Sequence, residues 1–249
     1  MIDLSAIKPT VESLPPRIVL YGSPKVGKTT FGSLLPSPLF IDIEGGSGAL
    51  PVARIEKEKL NSYADVLEAV EALYSQDHGF KSVVVDSADW LEALIFNQVA
   101  AEHGKKSIDE IGYGAGYGAA VNLWKQLLAG LTALRNDKGI VVLLIAHDAV
   151  KRYDNPLTES YDRHQLKLHG KSSAIITEWS DCLLFANQEV YIDKKQEGFK
   201  KVSRGRAGDR VLHTVESPAF LAGNRFGLPP AIEFTWEAFA SAMADTVPA

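Results

Sequence analysis

Short apolar runs alternate with longer amphipathic stretches along the chain from residue 17 onward. Near-continuous apolar runs that helices separate are typical of a mainly parallel β-sheet covered on both faces. The pattern therefore predicts an α/β fold with a central sheet flanked by helices. The predicted strands are 17–21, 38–43, 82–87, 140–147 and 181–188. The predicted helices are about 28–35, 62–75, 87–103 and 118–137.

The pattern changes after residue 188, where the apolar runs become shorter and more polar. EVYID and RVLHTVES flank a basic segment, which predicts an antiparallel hairpin added to the sheet, and AIEFTW predicts a last strand. Residues 1–16 hold three prolines and show weak periodicity, so we expect an N-terminal arm. Since no repeat or linker interrupts the rest, we predict one domain over 17–249.

Composition narrows the class of protein only modestly. A chain of 249 residues with 46% hydrophobic and 23% charged residues is ordinary for a globular protein. The single cysteine, Cys182, excludes an internal disulfide and fits a reducing cytosol. The longest apolar run, IVVLLIA, is too short to span a bilayer, and we expect no signal peptide and no membrane contact. With a net charge of −5, any contact with nucleic acid must be concentrated in local basic loops.

The segment GSPKVGKTT matches the phosphate-loop pattern G-x-x-x-x-G-K-[ST] between a predicted strand and a predicted helix. Main-chain N–H groups and the helix dipole form an anion site there, so we predict ATP binding; the alternative is a turn that binds nothing. Lys28 would reach the β- and γ-phosphates, and the Thr29 hydroxyl would bind Mg²⁺. The predicted nucleotide-binding residues are Gly22, Ser23, Pro24, Lys25, Val26, Gly27, Lys28, Thr29 and Thr30.

Two acidic residues end the next two long apolar runs. Asp86 lies at the carboxyl end of SVVVD, where open α/β sheets bind ligands, and we predict that it holds Mg²⁺ through a bound water. Glu44 ends LFIDIE; if the two strands are neighbours, its carboxylate can orient the attacking water and accept a proton. Many phosphate-loop ATPases place that glutamate directly after the aspartate, but Ser87 stands there. The alternatives are a turn or cap residue for Asp86 and a strand-end cap for Glu44.

These motifs resemble those of the RecA-type recombinases. FIDIE is similar to the strand that carries their catalytic glutamate, and VVVDS is similar to their second motif. EIGYGAGYGAA resembles their first DNA-binding loop, LLIAHD resembles the strand that senses the γ-phosphate, and GNRFGLPPAIEF resembles the segment that reaches a neighbouring subunit. The resemblance covers about 17–236, and the chain has no room for the family's separate terminal domains. The chain therefore most resembles the core-only relatives encoded by bacteriophages, which act as single-strand annealing or recombination ATPases.

The resemblance implies a RecA-like P-loop fold, a ring or filament of identical subunits, and single-stranded DNA as a partner. It implies that His147, in place of the family's usual glutamine, senses the γ-phosphate. It also implies that Arg225 reaches the ATP of a neighbouring subunit, although Gly223 stands where the family often has a first basic residue. A phage-encoded chain would act in the host bacterial cytoplasm.

Two stretches are candidates for contact with DNA, although each could be an ordinary solvated loop. Residues 105–118 combine lysines for phosphates with tyrosines for base stacking, namely Lys105, Lys106, Tyr113 and Tyr117. Residues 148–173 form a long connection, in a position similar to the family's second DNA-binding loop. Its basic residues recur with a spacing of four, which would align them on a helix, and they are Arg163, Lys167 and Lys171.

A third basic stretch, 194–210, could be a solvated hairpin tip, a DNA contact or a partner contact. Its basic residues are Lys194, Lys195, Lys200, Lys201, Arg204, Arg206 and Arg210. We therefore predict a RecA-like ATPase that binds single-stranded DNA and promotes annealing or homologous recombination. The alternatives are a RecA-type helicase or loader motor, a small-molecule kinase, and a nucleotide-gated scaffold for a partner such as a single-strand-binding protein.

Overall fold

A computed structural model of the chain describes residues 3, 14–197 and 200–246, with no side chains described over 192–204 or at 246. The predicted α/β class is confirmed. The strands are β1 Arg17–Gly22, β2 Pro38–Asp42, β3 Ala53–Ile55, β4 Ser82–Asp86, β5 Val141–Tyr153, β6 Tyr161–Leu166, β7 Cys182–Glu197, β8 Lys200–His213, β9 Gly223–Asn224 and β10 Ala231–Glu233. The α-helices are α1 Lys28–Ser33, α2 Tyr63–Ser75, α3 Ala88–Glu102, α4 Ala115–Lys138, α5 Gly170–Trp179 and α6 Trp236–Thr246. Three 3₁₀ turns span Lys57–Lys59, Ile108–Glu110 and Gly112–Gly114.

The described strands form one ten-stranded sheet in the order β10-β8-β7-β1-β5-β4-β2-β3. The six strands from β7 to β3 are parallel. Strand β8 is antiparallel to β7, and β10 is antiparallel to β8, which confirms the predicted hairpin extension. Two further strands lie off this path, since β6 pairs with β5 and β9 pairs with β7.

Both faces of the sheet are covered, as the continuous apolar strands predict. In β1, Ile18 and Leu20 pack in one core, whereas Val19 and Tyr21 pack in the other. Helices α2, α3, α4 and α5 cover the second of these faces, and α1 and α6 cover the first. Removal of both sets of apolar side chains from water is the main force that holds the layers together.

Local sequence signals set the ends of several helices. At the start of α2, the Ser62 side chain accepts from the Asp65 main-chain N–H, and the Asp65 carboxylate accepts from the Ser62 N–H, which forms a capping box. Helix α4 ends at Gly139, whose φ of 64° and N–H bond to the Arg135 carbonyl stop the helix.

The parallel register brings several polar residues to one edge of the sheet. Gly22 is opposite His147 across β1 and β5, and Asp42 is opposite Asp86 across β2 and β4. Strand β5 lies between β1 and β4. The residues that follow these strands therefore meet at the carboxyl edge, where open parallel sheets bind ligands.

The stretch 148–173 differs from the helix considered for it. Strand β5 continues to Tyr153 and pairs with β6 in an antiparallel hairpin, and α5 begins only at Gly170. Main-chain pairing with β5 outweighs a four-residue spacing of basic side chains, because like charges at that spacing repel and destabilise a helix by about 0.2–0.5 kcal/mol per pair. Arg163 lies on β6, so Arg163, Lys167 and Lys171 do not share a helical face.

The predicted arm at 1–16 falls almost entirely outside the described residues. Its last residues contact the body of the chain, since the Arg135 guanidinium donates to the Pro15 carbonyl at 2.6 Å. Within the described part of the chain, no helix has the length and apolar content that crossing a membrane requires.

A buried ionic cluster fixes the opposite, amino edge of the sheet. Asp181, 5% exposed, precedes β7 and accepts from the Arg17 main-chain N–H at 3.0 Å and from its guanidinium at 3.0 and 2.8 Å. Arg135 and Arg225 approach the same carboxylate at 3.6 and 3.7 Å. Burial alone would raise the pKa of Asp181, but the hydrogen bonds from Arg17 outweigh it and the pKa is lowered.

We expect Asp181→Asn to lower the free energy of unfolding by about 2–3 kcal/mol, because it leaves Arg17 part-buried without its counter-charge. Since the pKa is lowered in the folded state, the Asp181 contribution is complete above its ordinary pKa and is lost as pH falls through the folded value. Urea denaturation at pH 7 and at decreasing acid pH measures both effects.

The matched control is Asp154→Asn, which removes an exposed ion pair with Arg152 and should leave the free energy of unfolding at pH 7 unchanged. Equal stability of Asp181→Asn and the parent chain at pH 7 would contradict a structural role for the cluster.

Candidate nucleotide-binding site

The phosphate loop, residues 22–30, connects β1 to α1 and depends on glycine at two positions. A Cβ on Gly22 would lie 2.2 Å from the Ala186 carbonyl oxygen, so only glycine fits beside β7. Gly27 has a φ of 113°, which L side chains rarely adopt. The structure thus places the predicted loop residues between a buried strand and a helix N-terminus, the geometry of an anion site.

Lys28 lies inside this loop, 5% exposed, with its Nζ donating to the Gly22 carbonyl at 2.8 Å and the Ser23 carbonyl at 3.0 Å. Burial lowers the pKa of Lys28, and the nearby Asp86 carboxylate opposes this effect. The ammonium group is therefore held at the centre of the loop, where a polyphosphate would gain most from it.

Thr29 and Asp86 meet directly at the carboxyl edge. The Thr29 hydroxyl donates to Asp86 Oδ2 at 2.8 Å, and Asp86 is 2% exposed. Burial raises the pKa of Asp86 to about 6, with the negative charges of Glu44 and Asp42 adding to the rise. A buried carboxylate that is costly to ionise, next to a hydroxyl, fits a Mg²⁺ ion that keeps several waters and binds phosphate oxygens.

Among the described residues, no three His, Cys, Asp or Glu side chains cluster as a metal site. That finding is compatible with Mg²⁺, because this ion commonly uses one or two protein ligands together with substrate phosphates.

Glu44 lies just beyond the end of β2 with its carboxylate at the same edge. Its main-chain N–H donates to the Asp86 carbonyl at 3.0 Å, and the Ser87 hydroxyl donates to Glu44 Oε2 at 3.0 Å. Glu44 Oε1 is 3.9 Å from His147 Nε2, and the side chain is 31% exposed. The carboxylate is thus oriented by two neighbours and remains open to water, as a general base requires.

Asp42 builds the turn that presents Glu44. Its buried carboxylate accepts from the main-chain N–H groups of Gly45, Gly46 and Ser47 at 2.9–3.0 Å, and from the Ser47 hydroxyl at 2.6 Å. Four donors on one carboxylate fix the chain between the strand and the glycines. Of the two acids in LFIDIEGG, Asp42 is therefore structural.

His147 lies on β5 between the phosphate loop and Asp86. Asp89 of α3 accepts from the His147 main-chain N–H at 3.1 Å and is 2.9 Å from His147 Nδ1. The hydrogen bond to Asp89 raises the pKa of His147, although burial opposes the rise. This arrangement favours the imidazolium form, with Nε2–H directed toward the Glu44 side of the pocket.

A second aspartate and histidine border the loop. Asp148, the residue after His147, is 2.6 Å from His164 Nδ1 and accepts from the Ser23 hydroxyl at 3.5 Å. The phosphate loop is therefore supported from β5 on one side, as well as from Ala186 of β7 on the other.

Arg225 lies away from this pocket, at the opposite edge of the sheet. Its guanidinium is 3.7 Å from Asp181 and donates to the Glu178 carbonyl at 3.1 Å, and the side chain is 60% exposed. The structure does not bring Arg225 to the nucleotide pocket of its own chain. The contact of Arg225 with the ATP of a neighbouring subunit stays a prediction.

The stretch 105–118 divides into an exposed and a packed part. Lys105, Lys106 and Tyr113 are exposed, and Tyr113 is fully so, with a φ of 56°. Tyr117 lies in the first turn of α4, where its ring stacks on His169 at 3.9 Å and its hydroxyl donates to Asp109. Because α4 begins at Ala115, Tyr117 is a helical residue with internal partners, unlike Tyr113.

The basic residues of 148–173 have unequal surroundings. Arg163 is 9% exposed, pairs with Glu216 at 2.6 Å and lies 3.8 Å above the Tyr153 ring. Lys167 and Lys171 are exposed. In the basic stretch 194–210, the side chains of Lys194, Lys195, Lys200, Lys201 and Arg204 lie outside the described residues, whereas those of Arg206 and Arg210 are described.

Sequence reasoning missed several residues of the site. Asp89 lies three residues after Asp86 in the sequence, and Asp148 directly follows His147. A search for acidic residues near the strand ends could have found both. Ser87 was noted only as the residue that displaces the usual glutamate, yet it donates to Glu44. The sequence identifies Arg210 only as one of the basic residues of 194–210. Its place beside the phosphate loop has no local signal, because the sheet brings it there from more than 180 residues away.

We expect Asp89→Asn to lower the pKa of His147, because the substitution removes the carboxylate that stabilises the imidazolium. NMR titration of the histidine side chains measures the change. Since the pKa of His147 is raised by folding, its stabilising contribution is complete below the ordinary histidine value and is lost as pH rises through the folded pKa. As pH rises through that window, the difference in free energy of unfolding between the parent chain and Asp89→Asn should therefore shrink.

His78 and His213 in the same spectra are internal controls, because neither contacts Asp89. An unchanged His147 titration in Asp89→Asn would contradict the pairing.

Comparison with known proteins gives one family match. A family described as an AAA domain matches residues 14–226 of the chain. The crystal structure of the RadB recombinase has 13% identity to this chain over 88% of each chain, with a TM-score of 0.45, which is too low to support a functional conclusion. No curated protein matches. Because the family match covers most of the chain, this protein belongs to the AAA domain family AAA_24.

Proposed function

We propose that the chain is a RecA-like, Mg²⁺-dependent ATPase that binds single-stranded DNA and promotes annealing or homologous recombination. It would act as a ring or filament of identical subunits. Membership of an AAA domain family supports the nucleotide-binding part of this proposal.

One observation carries the proposal: the phosphate loop, the Thr29–Asp86 pair and the Glu44 carboxylate lie at one edge of one sheet. A turn that binds nothing would not need a buried lysine, a hydroxyl–carboxylate pair and an oriented second carboxylate together. The arrangement fits the requirements of phosphoryl transfer, which are positioning, charge neutralisation and activation of water.

The residues divide the reaction between them. Loop N–H groups and Lys28 would bind the phosphates, while Thr29 and Asp86 would hold Mg²⁺, which would neutralise phosphate charge. Glu44 would orient a water and accept its proton at Oε1, since Oε2 already accepts from Ser87. His147, held by Asp89, would donate through Nε2 toward the γ-phosphate.

Oligomerisation would supply the missing cation. Arg225 is exposed and lies at the edge opposite its own loop, so it could stabilise transition-state charge only in a neighbouring subunit. DNA would contact the exposed part of 105–118, where Tyr113 is free to stack on a base and Lys105 and Lys106 can contact phosphates.

We expect Glu44→Gln to reduce ATP turnover by about 10²–10⁴-fold while nucleotide affinity is retained, because the amide cannot accept the proton. Turnover with and without single-stranded DNA, and nucleotide affinity by calorimetry, measure the two effects. The matched control, Glu56→Gln, changes an exposed glutamate that follows β3 and should leave turnover unchanged. Unchanged turnover in Glu44→Gln would show that the base lies elsewhere.

We expect Tyr113→Ala to weaken binding of single-stranded DNA by about 1–3 kcal/mol, the contribution of one stacked base. Fluorescence anisotropy with a labelled oligonucleotide measures it. Tyr74→Ala is the control, because Tyr74 is also exposed but contacts Asp137 near the other end of α4. Equal losses in both variants would contradict a specific role for the loop.

The same assays distinguish the rival functions. A helicase or loader motor would unwind duplex DNA in an ATP-dependent reaction, whereas the proposed protein would anneal complementary strands. A nucleotide-gated scaffold, for example for a single-strand-binding protein, would form ATP-dependent oligomers without turnover. A small-molecule kinase would phosphorylate a metabolite without any response to DNA.

A further inference from the structure

Arg210 approaches the phosphate loop from a part of the chain that the motifs do not include. It lies on β8, opposite Gln188 of β7 and two residues before Leu212, which pairs with Ala186. Ala186 in turn pairs with Gly22 at the start of the loop. The base of the β7–β8 hairpin therefore lies beside the loop through two steps of strand pairing.

The Arg210 guanidinium lies against Gly27. A Cβ on Gly27 would be 3.1 Å from Arg210 Nη1 and 4.0 Å from its Cζ, so the planar group lies next to the loop main chain. Gly27 directly precedes Lys28 at the N-terminus of α1. A second cation thus borders the loop on the side facing β8.

The guanidinium has no partner of its own within the described part of the chain, where neither a hydrogen bond nor an ion pair of its side chain is found. This is so although three carboxylates, Glu189, Asp209 and Glu233, line the same cavity of about 840 Å³. A guanidinium that makes no ion pair with these acids, and lies beside an anion-binding loop, is available for an anionic ligand.

Aromatic packing joins the base of the β7–β8 hairpin to the phosphate-loop helix. The Phe234 ring, at the end of β10, stacks on Phe31 of α1 with centroids 5.4 Å apart and an 8° angle between planes. Strand β10 pairs with β8 next to Arg210, since Glu233 is opposite Val211. The hairpin base and the phosphate-loop helix are therefore held together, which keeps the main chain of Arg210 close to the loop.

We propose that Arg210 is a phosphate-binding residue for the nucleotide held in its own chain. This inference rests on the proposed function. A guanidinium presents several N–H donors in one plane, which suits contact with two phosphate oxygens. Arg210 would act within one subunit, unlike Arg225 at the far edge. Nucleotide binding would then also fix the base of the β7–β8 hairpin.

The test is calorimetric titration of the full chain with MgADP and with AMP. We expect Arg210→Ala to weaken MgADP about 10- to 100-fold, the loss of one charge-assisted hydrogen bond, and to weaken AMP less. Arg210→Lys should restore part of the affinity. Arg206→Ala is the matched control, because Arg206 lies on the same strand but over the Tyr191 ring, and it should bind as the parent does.

The outcomes separate the two proposals. If the parent chain binds no nucleotide, both fail. If the parent binds MgADP, Lys28→Ala abolishes binding and Arg210→Ala binds as the parent does, the inference is wrong and the proposed function stands. Equal losses for MgADP and AMP would place the Arg210 contact on a group that both ligands carry, which is the α-phosphate, the ribose or the base. The same loss for adenosine would then exclude the phosphate and overturn the proposal. A loss that appears only at concentrations where chains associate would overturn the assignment to a single subunit.

Discussion

The site depends on one constraint, which is the crowding of carboxylates at the carboxyl edge of a parallel sheet. The register of β2, β4 and β5 brings Asp42, Glu44, Asp86 and Asp89 to neighbouring positions. Because like charges in a buried edge repel, each of these carboxylates has an identified donor. Asp86 nonetheless keeps a raised pKa, so the edge as a whole retains a demand for positive charge that Lys28 only partly meets.

Helix α3 links this edge to the stretch proposed to contact DNA. Asp89, in its first turn, holds His147, and Glu92, one turn later, accepts from the His169 main-chain N–H at 3.0 Å. The His169 ring stacks on Tyr117 at the start of α4. Direct contacts through α3 and His169 thus connect the start of α4 with His147. These contacts are a physical route that can couple α4 to His147. The coupling free energy would have to come from a ligand that binds two arrangements of these contacts with different affinity.

The fold was predictable because apolar runs and glycine-rich turns are local signals. The phosphate loop and the hairpin extension followed from them. The sequence left open whether the strands that carry Glu44 and Asp86 are neighbours, and the pairing of β2 with β4 establishes that they are. The rest depended on long-range pairing: β5 continues to Tyr153 only because β6 is available to pair with it. Similarly, Arg163 is paired with Glu216, and Arg210 lies by Gly27, for reasons that no short stretch of sequence contains.

Ser87 explains how the proposed general base, Glu44, can lie beyond the end of β2 instead of directly after Asp86. A glutamate at 87 would have to share the Asp86 end of β4, whereas the serine hydroxyl donates across to Glu44. The turn that Asp42 fixes, and the Glu44 N–H bond to the Asp86 carbonyl, bring the neighbouring strand close enough for this contact. In the proposed mechanism, Mg²⁺ binding by Asp86 and proton acceptance by Glu44 are therefore assigned to the ends of two neighbouring strands.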